Sequence, residues 1–337
     1  MNIAAAHLDA LKAFGYTEEE ARFLYIVATH SGYFVARQFL AFTGAHWGRR
    51  TATFWHNLQE RKHVRIERFP KRGVVYHLFS RRLYRQMERE NLRNRRDHEM
   101  DFIHKRIAIL DFVLENQGYS YLETEPEKIR FFETLGIDRH VLPARLYVGR
   151  PGSHPTIRHF VDKFPMFGRS DLSSLSPVVT FTYVQENEAV LTDFIHHLET
   201  YMPLFRQLST FEFLYVSRTN SWSEKATEIF HSVVKTPLEA DIACDLIRYF
   251  RVRRAWDEKQ YAAVTDADLI FRNEARKRFS GDRFEGLYRG WKNERITESD
   301  IRQQFAPNDR TRRVGFNTYL LRTNASTDGD DENSGRM

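Results

Sequence analysis

The sequence predicts a chain of mixed α+β and α/β character: a small helix-and-hairpin module, then an α/β sheet domain with a helical C-terminal region. Three observations predict it. Residues 33–79 pass from two amphipathic helical runs into two alternating, strand-like runs. Residues 119–235 alternate β-branched and aromatic segments with amphipathic ones. From Thr236 onward, capping residues introduce one helical stretch after another. A length of 337 residues suits two domains, each able to bury its own core. The expected boundaries give a first domain over 1–118, a second over 119–322, and a disordered acidic tail over 323–337.

The stretch from Tyr33 to Phe79 organises the rest. Val35 to Phe42 is a short amphipathic run, and Thr43-Gly44 breaks it, because glycine accepts the positive φ of a tight inter-helix turn. A second run from about His46 to Arg61 sets Trp47, Thr51, Phe54, Trp55 and Leu58 along one stripe. The opposite face carries His46, Arg49, Arg50, Thr53 and Asn57. Val64 to Phe69 alternates like a half-buried strand, Gly73 to Phe79 does so less cleanly, and Pro70-Lys71-Arg72-Gly73 makes a cationic turn between them. Helix, turn, helix, then a hairpin with a basic tip resembles the winged helix-turn-helix superfamily. That resemblance implies a second helix suited to the major groove of double-stranded DNA and a wing suited to phosphates. The expected DNA-binding residues are His46, Arg49, Arg50, Thr53, Asn57, Arg68, Lys71 and Arg72.

Upstream, a short helix is expected over His7 to Phe14. Thr17-Glu18-Glu19-Glu20 is a capping-box signature that opens a helix to about His30. Downstream, Ser80 is expected to cap a charged helical region reaching Gly118. Its arginines at 81, 82, 85, 89, 93, 95 and 96 form either a solvated face or a set of phosphate contacts. Its apolar stripe of Met100, Ile103, Ile107, Leu110, Val113 and Leu114 is expected to pack or to dimerise, since a symmetric homodimer suits palindromic sites.

In the second domain, Glu125-Pro126-Glu127 opens a helix to Leu135. Strands are expected at Leu142–Val148, Pro177–Val184 and Thr210–Val216. Helices are expected at about Glu188–Tyr201 and, after a capping box at Ser221–Glu224, through Val234. This order implies a parallel sheet with right-handed crossovers. Thr236-Pro237-Leu238-Glu239 then opens a helix to about Arg254. Two more follow at 265–279 and 297–305, and Val314–Leu321 closes the sheet.

A strand–helix–strand order after a winged helix resembles the bacterial replication-relaxation proteins over residues 17–235. What the resemblance implies is a winged helix joined to a fold like that of restriction endonucleases, whose active members hold magnesium on strand carboxylates. This chain departs from them there. Alanine stands at 144 where a ligand belongs, and Tyr183-Val184-Gln185 holds no carboxylate, Glu186 and Glu188 coming only afterward. The second domain is therefore expected to be nuclease-like without catalytic residues, and no enzyme activity, metal or cofactor is expected.

His154 with His159, and the adjacent His196-His197, lack the spacing of a metal set, and adjacent helical residues point about 100° apart. Cys244, the lone cysteine, excludes an intramolecular disulfide and reads as a core thiol. No apolar run approaches the roughly 20 residues of a membrane span, and no signal-peptide pattern opens the chain. No membrane partner is expected, and the expected setting is the cytoplasm. With a net charge of +6 and a basic first third, the expected function is DNA binding, in a regulator of transcription or replication on a plasmid or other mobile element. A metal-dependent DNA nuclease and a winged-helix protein-interaction adaptor are the alternatives.

Overall fold

The computed structural model describes residues 1, 3–69, 73–148, 154–169, 178–186, 191–239, 242–305 and 313–322. The chain is mixed α+β. It forms two compact units, one of residues 1–234 with 313–337 and one of residues 235–312. The boundary expected at 118 lies inside the first unit, and the tail from 323 lies outside the described residues.

The first unit opens with α1 (Ala5–Lys12) and α2 (Glu18–His30). The capping box forms as the sequence suggests: Thr17 Oγ1 accepts from the Glu20 amide at 3.3 Å, and Glu20 Oε2 accepts from the Thr17 amide at 2.8 Å. Strand β1 (Tyr33–Val35) follows, then α3 (Ala36–Thr43), α4 (Arg49–Glu60), β2 (Val64–Phe69) and β3 (Gly73–Leu78). The sheet order is β1-β3-β2, all antiparallel. Gly44 ends α3 at φ 61°, the left-handed value that reverses the chain into α4.

The charged stretch after the hairpin is not one helix. It divides into α5 (Arg81–Gln86), a 3-10 turn at Arg93–Arg95 and α6 (Met100–Glu115), with Glu88 at φ 55° between them. Ser80 makes no side-chain cap. The apolar stripe of α6 is intrachain core. Ile103 and Ile107 are buried against Tyr33 and Val75, and Leu110 and Val113 are fully covered. The dimerisation face expected there is already occupied by β1 and β3.

After β4 (Ser120–Tyr121), helix α7 (Glu125–Thr134) is capped by Thr124, which accepts from Glu127. The strand expected at 142–148 is β5 (Ala144–Tyr147), but it does not enter the main sheet. Among the described residues it pairs only with β6 (Thr156–His159), in an antiparallel hairpin. The main sheet runs β10-β9-β8-β7-β4, built from β7 (Met166–Arg169), β8 (Val178–Val184), β9 (Thr210–Ser217) and β10 (Arg313–Leu320). Only β8, β9 and β10 are parallel, and β7 and β4 run antiparallel, so the sheet is mixed. Helix α8 (Thr192–Phe205) links β8 to β9, burying Phe194, Leu198 and Phe205, and α9 (Ser223–Phe230) follows β9. The expected box at Ser221–Glu224 does not close, since α9 starts without a side-chain cap.

The second unit is helical: α10 (Thr236–Glu239), α11 (Ile242–Asp257), α12 (Asp266–Arg278), α13 (Asp282–Lys292) and α14 (Glu298–Gln304). Leu246, Ile247, Phe250, Phe279, Tyr288 and Ile301 form its core. Cys244 is not part of that core. It is exposed, its Sγ 3.3 Å from Arg302 Nη1, because Ala243, Leu246 and Ile247 take the inward face of α11. Among the described residues, no helix is long and apolar enough to cross a membrane.

Candidate nucleic-acid interface

Helix α4 is fixed from behind by aromatic packing. Phe39 of α3 stacks on Phe54 at 3.9 Å between ring centroids, and Trp55 stacks on Tyr76 of β3 at 4.5 Å. Thr51 turns its hydroxyl to the backbone of Gly48, accepting from the Gly48 amide at 2.9 Å, so the helix starts at Arg49. These anchors leave the opposite face outward. Arg49, Arg50 and Thr53 are exposed, and Asn57 is half-buried. His46, expected at the start of the helix, is exposed in the segment before α4, three residues ahead of its first residue Arg49. Arg68 is exposed on β2, while Lys71 and Arg72 lie outside the described residues.

Two of these side chains have internal partners. Arg50 Nη2 donates to Glu19 Oε2 on α2 at 2.6 Å, with the two side chains 65% and 50% exposed. Such an exposed pair contributes at most about 1 kcal/mol, so a stronger anion displaces it readily. Thr53 donates back to the Arg49 carbonyl at 2.9 Å, which leaves its oxygen able to accept. Trp47 was expected on the buried stripe and is instead 64% exposed. The helix begins only at Arg49, so Trp47 escapes the helical periodicity that would have turned it inward. Its ring lies 6.0 Å from that of Trp55, at the N-terminal edge of the outward face.

The arginines after β3 divide by environment. Arg81 and Arg85 are exposed. Arg82 lies over the Phe14 ring at 5.3 Å. Arg89 is drawn inward, donating to Glu123 at 3.0 Å and to the Tyr25 hydroxyl at 2.9 Å.

The positions weighed for nuclease chemistry are not assembled. Ala144 lies on the separate β5–β6 hairpin, Glu186 sits 3.1 Å from His104, and Glu188 lies outside the described residues. His196 is exposed and His197 buried, as adjacent helical positions require. His197 Nδ1 lies 3.2 Å from Asp162 Oδ2, which also accepts from the Tyr201 hydroxyl at 2.8 Å. Burial would raise the Asp162 carboxyl, but the His197 contact and the Lys128 charge hold it at about 2. Burial pulls Lys128 down to about 8. This is a core ion network, with the Lys128 ammonium donating to the Phe164 carbonyl at 3.1 Å.

One set of potential metal ligands was not legible in the spacing. Glu67, His77 and Asp97 bring ligand atoms within 4.8 Å of one another. They come from β2, β3 and the segment before α6, and only the fold unites them. Asp97 Oδ1 is already bonded to Arg65 Nη1 at 2.7 Å, so a cation there would compete with a guanidinium.

Compared with described protein families, with curated proteins and with solved structures, the chain matches none.

Proposed function

We propose that this chain binds double-stranded DNA through a winged helix-turn-helix formed by α2, α3, α4 and the β2–β3 hairpin, with α4 as the recognition helix. The observation that carries the reading is the two-sidedness of α4: Phe54, Trp55 and Leu58 are held inside while Arg49, Arg50 and Thr53 face out. The β1-β3-β2 order behind that helix supports it, because it is the sheet on which a wing is normally built. Arginine bonds guanine bidentately in the major groove, and exposed cations displace counterions from the phosphates. Trp47, exposed beside Arg49, adds an aromatic surface for a sugar or a base edge. The biological setting that best fits a sequence-reading module joined to a mixed sheet domain is regulation of transcription or of replication.

Selection of bound duplexes from a random pool tests the reading, with affinity then measured against salt. Enrichment of a motif, with log K falling linearly against log salt, is the expected result. Uniform, salt-insensitive or absent binding would turn the reading toward a protein-interaction adaptor.

A further inference from the structure

Away from the α4 face, the first unit holds a cleft of about 230 Å³ between the turn at Arg93, the start of α6, and the β5–β6 hairpin. The hairpin register explains its chemistry. Leu146 and Ile157 are cross-strand partners and turn outward, 58% and 60% exposed. Alternation therefore puts the neighbouring pair, Arg145 and Arg158, on the other side, where both line the cleft with Tyr147. Arg93 and Lys163 complete the cationic lining, and Glu125 is the one carboxylate among the described lining residues.

The charges do not cancel. Glu125 is already committed, accepting from Arg158 Nη1 at 3.3 Å and from the His159 amide at 2.8 Å. Among the described residues no carboxylate pairs with Arg93, Arg145 or Lys163. Arg93 and Arg145 instead lie over the Tyr147 ring, at 4.7 and 5.6 Å. Two further polar atoms of the lining, Arg158 Nε and His159 Nδ1, are buried without a hydrogen-bond partner. Burial, then the Arg106 charge, hold the Lys163 ammonium below its usual range, with Glu125 and Asp162 opposing and Arg93 adding a lesser push in the same direction. A cleft that gathers cations against one engaged carboxylate is arranged for an anion of more than one charge.

We propose that this cleft binds a phosphomonoester, with Arg93, Arg145, Arg158 and Lys163 as the receiving groups. A monoester carries about −1.5 to −2 charges near neutral pH and three acceptor oxygens. That matches several convergent donors better than the single charge of a diester does. A phosphate inside a duplex backbone is also flanked by two sugars, whereas a monoester offers a free terminal group to several donors at once. Two sources share the chemistry: a free nucleotide-like phosphate, and the terminal phosphate of a nucleic-acid strand. The site is separate from the α4 face, so it stands or falls independently of sequence reading.

The test uses the full chain in a phosphate-free buffer. Calorimetry is run with inorganic phosphate, a nucleoside 5′-monophosphate, the parent nucleoside, and one short duplex carrying either a 5′-phosphate or a 5′-hydroxyl. The expected result is binding of the phosphorylated probes and not of the nucleoside. Arg145→Glu, an exposed hairpin position, should weaken that binding on the order of tenfold or more while leaving the melting temperature unchanged. Lys163→Gln serves as a second variant, and Arg49→Ala with Arg50→Ala should leave monophosphate binding intact. Preference for the 5′-phosphate duplex, with competition by the monophosphate, assigns a strand end. Binding of the monophosphate with no difference between the duplexes assigns a small molecule. Failure of every phosphate probe to bind at millimolar concentration overturns the site. So does binding unmoved by both cleft variants, or binding lost in the α4 variant.

Discussion

Arg106 donates from Nη2 to Asn94 Oδ1 at 2.5 Å, and this contact locks the back of the α2–α6 pair. The same guanidinium donates from Nε to the Ser31 carbonyl at 3.1 Å, while Asn94 donates to the carbonyls of Ala28 and Thr29 at 2.9 and 2.8 Å. The final carbonyls of α2, which no helical amide can satisfy, are thereby closed by side chains from distant sequence. Gly32 is part of the arrangement. It sits at φ 85°, and a Cβ there would lie 2.0 Å from the Asn94 carbonyl oxygen.

Arg106 is 1% exposed, and burial pulls its guanidinium down to about 10. Arg106→Met keeps much of the volume but leaves Asn94 Oδ1 and the Ser31 carbonyl buried and unpaired. Each orphaned group costs about 1–3 kcal/mol, so a loss of about 2–6 kcal/mol is expected by urea denaturation. A loss below about 1 kcal/mol would show that the network is dispensable.

Asp111 of α6 ties α3 to the end of β9. It is 6% exposed and accepts from both Arg37 nitrogens at 2.8 Å, from Gln38 at 2.8 Å and from Arg218 at 2.6 Å. Burial would raise its carboxyl, yet Arg37, with Arg218, holds it below the usual range. Removing one member of a buried pair costs about 3–5 kcal/mol, and Asp111→Ala should lose about that much. Arg37 is 38% exposed, and Arg37→Ala should lose clearly less. Equal losses from the two variants would contradict the central place given to the carboxylate.

Local chemistry made part of this structure legible before folding. The Thr17–Glu20 box, the Thr43-Gly44 break and the inward set of Thr51, Phe54 and Leu58 follow from neighbours three or four residues apart, which a helix brings together on its own. Pairing between strands carries no such mark. The run at 142–148 has the composition of a core strand, yet its partner is β6, and nothing within the run specifies that choice. Strand β7, Met166-Phe167-Gly168-Arg169, has no alternation to betray it and takes its place from its neighbours β8 and β4. The cationic cleft was illegible for the same reason: Arg93, Arg145, Arg158 and Lys163 meet through hairpin register and a tertiary contact.

Stability should fall in mild acid. Burial, reinforced by Arg106, lowers the His30 imidazole to about 3. Burial with Arg61 lowers His63 to about 4, and burial lowers His77 to about 4 against the opposing Asp97. The unfolded chain takes up these protons near pH 6.5, whereas the folded chain refuses them until about pH 4 or below. Unfolding therefore gains protons across that window, and stability present above pH 6.5 declines as pH drops toward 4. The depressed carboxyls of Asp111 and Asp162 contribute their own loss only below about pH 4. Denaturation midpoints should drop between pH 7 and pH 5, and a flat profile would mean that the imidazoles are accessible to protons in the folded state.

The proposed wing has its own readout. Lys71 and Arg72, expected from the sequence in the cationic turn between the two hairpin strands, lie outside the described residues, and long cationic side chains there would suit phosphate contacts. Phosphate contacts set affinity and salt dependence but not sequence. Replacing both with alanine should weaken binding to all duplexes alike and reduce the slope of log K against log salt by about 2. An unchanged slope would remove the wing from the interface.

The contact between Arg50 and Glu19 yields the sharpest test of the α4 reading. In the free protein the guanidinium is held by the carboxylate on α2 at 2.6 Å, both side chains being well exposed. To reach a guanine edge Arg50 must leave Glu19, and the carboxylate must then sit close to a polyanion. Glu19 thus opposes binding twice, as a competitor and as a like charge. Glu19→Gln should raise affinity a few-fold for all duplexes, because it frees the cation without altering which base it reads. Arg50→Ala should instead flatten preference at one or two base positions, a good bidentate pair being worth about 1–3 kcal/mol. In the double variant the gain from Glu19→Gln should shrink, since most of it acts through Arg50. If Glu19→Gln weakens binding, or if Arg50→Ala lowers affinity uniformly while preserving every base preference, Arg50 contacts backbone and not base.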